Sequence, residues 1–115
     1  MMKIYGIKNC NTVKKALDWL KENGISYDFQ DFKKVGVSEV TLKDWEKEVS
    51  WEVLVNKKGT TWRSLSDDEK AAVKDEKTAN DLMRAKTSVI KRPIIESPKG
   101  LLVGFDEKEY IEKLK

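Results

Sequence analysis

Residues 2–32 hold a strand, a helix and a second strand in immediate succession, and that order restricts the fold more than any other feature of the chain. Met2 to Tyr5 form a short apolar run ending at Gly6, the pattern of a buried strand. Val13, Ala16, Leu17 and Leu20 fall at i, i+3, i+4 and i+7, which puts them on one face of a helix. Asn9, Asn11 or Thr12 can cap the start of that helix, and Asn23-Gly24 supplies its stop. From Ile25 to Phe32 the residues alternate as a strand, with Ile25, Tyr27, Phe29 and Asp31 on one side. Two strands joined by one helix in so short a span are parallel, and the crossover is right-handed.

The middle of the chain changes character. From Ser38 to Lys86 the signals are helical. Ser38 can cap a helix whose apolar positions are Leu42, Trp45 and Val49, and Trp51, Leu54 and Val55 suggest a further short turn. Gly59 to Arg63 reads as a loop. Ser66 with Glu69 matches a capping box, and Thr78 with Asp81 resembles another, with Ala79, Leu82 and Met83 as the buried face behind it. Strand signals return at Pro93 to Glu96 and Leu101 to Gly104, which flank the turn Ser97-Pro98-Lys99-Gly100 as a hairpin. Asp106 and Glu109 match a capping box for the last helix, Phe105 and Tyr110 occupy its staple positions, and Tyr110, Ile111 and Leu114 are expected to face inward. The order is β-α-β, helices, β-β-α. It predicts an α/β fold in one domain, 1–115, with helices covering a mixed sheet and a helical insertion over about residues 38–86.

Composition narrows the chemistry. The chain has one cysteine and no histidine, so it has no intramolecular disulfide, no histidine-assisted nucleophile and no Cys- or His-rich metal site. No metal is expected. The 23 basic and 20 acidic side chains are interspersed rather than segregated into a basic face, so no nucleic-acid partner is expected. No apolar run approaches the ~20 residues of a membrane span. Nor does the N-terminus read as a secretory signal. The expectation is a cytoplasmic protein with a reduced thiol and no membrane partner.

Cys10 sits between the first strand and the first helix. At a helix N-terminus the unpaired N–H groups and the positive dipole end favour thiolate over thiol, and thiolate is the nucleophilic form. Lys8, Lys14 and Lys15 add positive charge nearby. A lone cysteine is also compatible with a small buried apolar residue, although Asn9 and Asn11 make a polar neighbourhood. Arg63 follows Trp62, and Arg92 precedes Pro93 at the start of a strand. Each arginine alone suits packing or surface roles. Converging on a thiolate, the pair would make an oxyanion site, because guanidinium forks match tetrahedral anions. The Arg92-Pro93 bond is open to either isomer.

Three segments together resemble the ArsC family of glutaredoxin-linked arsenate reductases: Tyr5-Gly6-Ile7-Lys8-Asn9-Cys10-Asn11-Thr12, Lys58-Gly59-Thr60-Thr61-Trp62-Arg63 and Ile90-Lys91-Arg92-Pro93. They look closest to its YffB-like branch, and the resemblance runs over essentially the whole chain. It implies a thioredoxin-like mixed sheet with helices on both faces and a helical insertion. It implies Cys10 as the catalytic thiol. Asn11, Thr12, Lys14, Arg63, Arg92 and Pro93 would bind the substrate or the glutathionyl group, with Pro93 at the cis-proline position of such folds. No bound cofactor is implied. Glutathione would be the co-substrate, with glutathione or glutaredoxin as partner and a small oxyanion or thiol as substrate, and the protein is expected to be a monomer. With no second cysteine, the resolving thiol must come from outside the chain.

Some positions depart from the family pattern. Gly6 stands where its arsenate reductases carry histidine, and Cys10-Asn11-Thr12-Val13-Lys14 replaces Cys-Gly-Thr-Ser-Arg. The strand Leu101-Leu102-Val103-Gly104 lacks their third arginine, and each missing charged hydrogen bond weakens oxyanion binding by ~1.5–3 kcal/mol. These features favour a glutathione-dependent thiol reductase. The alternatives are arsenate reduction itself and a non-catalytic Spx-like regulator that binds RNA polymerase. A CxxC switch of the Spx kind is absent, since Val13 holds the second cysteine position.

Overall fold

The computed structural model describes residues 2–115, and their contacts divide the chain into two compact units. One comprises the chain up to Val35 together with Arg92–Lys115. The other is Gly36–Lys91, within which the expected helical insertion falls.

The first unit holds strands β1 (Met2–Gly6), β2 (Tyr27–Asp31), β3 (Ile94–Ser97) and β4 (Gly100–Val103), with helices α1 (Asn11–Glu22), α2 (Phe32–Val35) and α8 (Glu107–Leu114). The sheet order is β2-β1-β3-β4. β1 and β2 are parallel, as a helical crossover requires, and β3 is antiparallel to both β1 and β4. Register aligns Phe29, Ile4, Ile95 and Leu102 in one row across the four strands. That row belongs to a core shared with Ala16, Trp19 and Leu20 of α1 and Tyr110 of α8. Fully burying each large side chain of this kind contributes roughly 1.5–3 kcal/mol. On the opposite face Tyr5 meets Phe32 of α2, with ring centroids 6.0 Å apart.

The helix ends follow the sequence closely. Asn23 ends α1, its side-chain amide donating to the Trp19 carbonyl at 2.8 Å, and Gly24 takes the positive φ of 66° that the stop requires. Phe105 packs edge-on to Tyr110 at 5.0 Å, as the staple predicts, and the Tyr110 hydroxyl donates to the Gly104 carbonyl at 2.6 Å. Asp106 caps α8 by accepting from the Lys108 and Glu109 N–H groups, without the reciprocal Glu109 bond of the expected box. Two expectations need correction here. Phe32 leaves the strand and opens α2, where its ring is buried. Ile111 is 48% exposed, because Tyr110 and Leu114 already fill the face of α8 turned to the sheet.

The second unit is helical: α3 (Glu39–Glu46), α4 (Trp51–Leu54), α5 (Thr60–Arg63), α6 (Asp67–Ala72) and α7 (Glu76–Ala85), then a 3₁₀ turn at Thr87–Val89. Ser38 caps α3, and Ser66 with Glu69 forms the expected box at α6. α7 packs against α3, α4 and the 3₁₀ turn. Leu42, Trp45, Leu54, Ala79, Met83 and Ile90 are buried. An isolated bridge pairs Val55 with Ile90.

Here too the structure departs from the sequence reading. Gly59 to Arg63 is not a loop. Gly59 is the N-cap of α5, and the Ser64 hydroxyl donates back to the Thr60 carbonyl at 2.8 Å. The capping box of α7 is formed by Asp75 and Thr78, one turn earlier than expected. Asp81 instead takes Lys77 and Arg84 as ion-pair partners. Asn80 is buried beside Ala79 and Met83, and Leu82 is only half-buried.

Candidate active site

Sheet topology builds the site. β1 and β3 run antiparallel, and Tyr5 pairs with Ile94. The chain leaving β1 and the chain approaching β3 therefore meet at the same end of the sheet. Cys10 lies on the first segment and Arg92-Pro93 on the second.

Cys10 is a free, half-buried thiol and is itself the N-cap of α1, with extended backbone angles. The expected caps Asn9, Asn11 and Thr12 do not hold that position. The sulfur closes no short, well-aligned cap hydrogen bond, but the Val13 and Thr12 N–H groups face it, as unpaired first-turn donors do. The Arg92 guanidinium also donates to it. Burial is the largest single influence on the thiol and pushes it up. The Val13 N–H, the Arg92 hydrogen bond and charge, and the Thr12 N–H together outweigh burial and hold the thiol below its ordinary value. This arrangement favours a nucleophilic thiolate at lower pH than an isolated cysteine reaches.

The other residues singled out in the sequence fall as follows. Asn11, Thr12 and Lys14 are exposed on the first turn of α1. Pro93 is buried behind a cis Arg92-Pro93 bond, and its carbonyl accepts from the Gly104 N–H at 2.8 Å. Arg63 is the exposed last residue of α5 in the helical unit. Val13 is the participant that residue chemistry overlooks, because only its backbone acts on the sulfur. The signal for it is positional: the third residue of a helix capped by cysteine carries an orphan donor. Among the described residues no group of three or more Cys, Asp or Glu side chains could hold a metal ion, and no helix is long and apolar enough to cross a membrane.

A mixed four-stranded sheet, a thiol at the start of the first helix and a proline just before the third strand define a protein with the thioredoxin-like fold. The chain belongs to the ArsC family, whose model matches residues 5–113. A Haemophilus influenzae protein of uncharacterised function is 44% identical over 110 residues, covering 96% of each chain. The solved structure of a YffB protein superposes with a TM-score of 0.94 at 43% identity, covering 100% of both chains. An arsenate reductase (ArsC) related protein from Brucella melitensis is 46% identical with a TM-score of 0.75, covering 99% of this chain and 94% of its own.

Proposed function

We propose that the chain is a glutathione-dependent thiol reductase in which Cys10 is the only nucleophile. The observation that carries this reading is a free, partly exposed Cys10 thiol at the N-cap of α1 with the Arg92 guanidinium beside it. Membership of the ArsC family and likeness to an arsenate-reductase-related protein support a reductase role.

In the first step the Cys10 thiolate attacks the glutathionyl sulfur of a mixed disulfide. A Cys10–glutathione disulfide forms, and the substrate leaves as its thiolate. In the second, the thiolate of a second glutathione, or of glutaredoxin, attacks the glutathionyl sulfur now bonded to Cys10. That attack releases oxidised glutathione, or glutathionylated glutaredoxin, and regenerates the Cys10 thiolate. Two electrons pass from external thiol to substrate, and the resolving thiol is external because the chain has one cysteine. Arg92 stabilises the thiolate both as nucleophile and as leaving group. Asn11, Thr12, Lys14 and the backbone at Pro93 are assigned to holding the glutathionyl group or its carboxylates.

Reduction of a glutathionylated peptide, coupled to NADPH through glutathione reductase, tests the proposal. Cys10→Ser is expected to abolish turnover, and a fully active Cys10→Ser would remove the thiol from the mechanism. Arsenate reduction is the second reading, favoured by a guanidinium placed where an oxyanion would meet the thiol. Arsenate-dependent oxidation of NADPH in the same coupled system supports it, and no turnover at millimolar arsenate rejects it.

A further inference from the structure

Gly6 closes β1 and is buried. Its φ is not in the left-handed region, so backbone conformation does not explain glycine there. Space does. A Cβ on residue 6 would lie 3.0 Å from Val13 Cγ2 and 3.4 Å from Val13 Cγ1, with Phe29 Cε1 at 3.6 Å. The contact with Cγ2 is too tight to absorb without movement of a few tenths of an ångström. Val13 cannot easily swing aside, because a β-branched side chain in a helix is confined to essentially one rotamer. It is also only 1% exposed. The strain therefore falls on Val13, side chain and backbone together, in the first turn of α1.

That backbone is the one that faces the thiol. The Val13 N–H is among the groups that hold the Cys10 thiol below its ordinary value. We propose that Gly6 is a positioning residue: the gap left by its missing side chain lets the Val13 methyls seat against β1, which fixes where the Val13 N–H stands relative to the Cys10 sulfur. Gly6 touches neither the sulfur nor substrate and acts entirely through Val13. The claim rests on Cys10 being the reactive thiol of the proposed reductase. It concerns a property of the thiol that is read without any substrate.

The pH dependence of Cys10 alkylation by iodoacetamide reads that property directly. Gly6→Ala is expected to move the alkylation profile to higher pH. At neutral pH it should slow the reaction by about threefold to tenfold, the scale of weakening one hydrogen bond to a charged group. Val13→Ala, which deletes the methyls that seat against β1, should move the profile in the same direction. If Gly6→Ala alone does not fold, Val13→Ala decides: a profile moved to higher pH supports the seat, and an unchanged one overturns it. Leu17→Ala loosens α1 on its partly buried face and should lower stability with no movement of the profile. A folded Gly6→Ala with an unchanged profile contradicts the proposal. So does a Leu17→Ala that moves the profile as far. Loss of the reductase reading is separate: it follows from an active Cys10→Ser, whatever the alkylation profile of Gly6→Ala.

Discussion

Cys10 and Glu46 are both acids, both partly buried, and they titrate in opposite directions. Burial is the largest influence on each, and in each it opposes ionisation. Around Cys10 the Val13 and Thr12 N–H groups and the Arg92 guanidinium reverse that effect. Around Glu46, on α3 of the helical unit, one Asn80 amide and Lys43 oppose burial and the Glu76 charge, and the carboxyl is pushed up. The Asn80 Nδ2 donates to Glu46 Oε1 at 2.9 Å, while Glu46 Oε2 and Asn80 Oδ1 are buried with no hydrogen-bond partner. The difference lies in the supply of donors. A helix N-terminus provides orphan N–H groups at no cost to the helix, whereas the C-terminal turn that carries Glu46 presents carbonyls.

Removing donors from the first site should make it behave like the second. Arg92→Ala is expected to slow Cys10 alkylation at neutral pH by about tenfold to hundredfold, the scale of a hydrogen bond to a charged group. Arg92→Lys should recover part of the loss, since it restores the charge without the fork. An Arg92→Ala profile identical to the wild type would assign the thiolate to the helix end alone.

Adding a donor to the second site should relieve it. Glu46→Gln places an N–H in the carboxyl and removes the charge, and it should stabilise the protein in urea by about 1 kcal/mol. Glu46→Ala leaves the Asn80 amide unpaired in the interior and should cost about 1–3 kcal/mol. Destabilisation by both substitutions would mean that the ionised carboxylate is well accommodated.

The smallest effects are the pH slopes, and their signs differ. Glu46 holds its proton more tightly folded than unfolded, so its burden on stability appears as pH rises from the unfolded carboxyl value through the raised folded one. Glu46→Gln should flatten that fall. Cys10 releases its proton more readily when folded, so stability rises with pH through the thiol range, is fully present above the unfolded thiol value and is lost as pH falls through the lowered folded one. Cys10→Ser should remove that rise. Urea denaturation across both pH ranges checks each slope.

The first unit is the more legible in sequence. Its strands and long helix carry regular periods, and register follows from the Ile4, Phe29, Ile95 and Leu102 row. In the helical unit the elements are short, and four-residue helices have no period to read. α5 illustrates this, since Thr60 and Thr61 are poor helix formers and its turn closes through Gly59 and Ser64. A Cβ at Gly59 would meet Asn56 Nδ2 at 2.9 Å, a contact no local pattern reveals. At the site, the place of Cys10 at a helix start follows from spacing alone. The pairing with Arg92 needs the antiparallel β1–β3 register, and the parts of Gly6 and Val13 need the packing of α1 on β1. Neither follows from residue type.

Arg92 and the start of α1 together hold the Cys10 thiol below its ordinary value. Ultraviolet absorbance of the thiolate, titrated in the wild type and in Arg92→Ala with Cys10→Ser as the blank, tests it most directly. The account predicts a wild-type thiol pKa below the ordinary value of about 8.5 and a higher one in Arg92→Ala. A wild-type value at or above the ordinary one, unmoved by loss of Arg92, would contradict it.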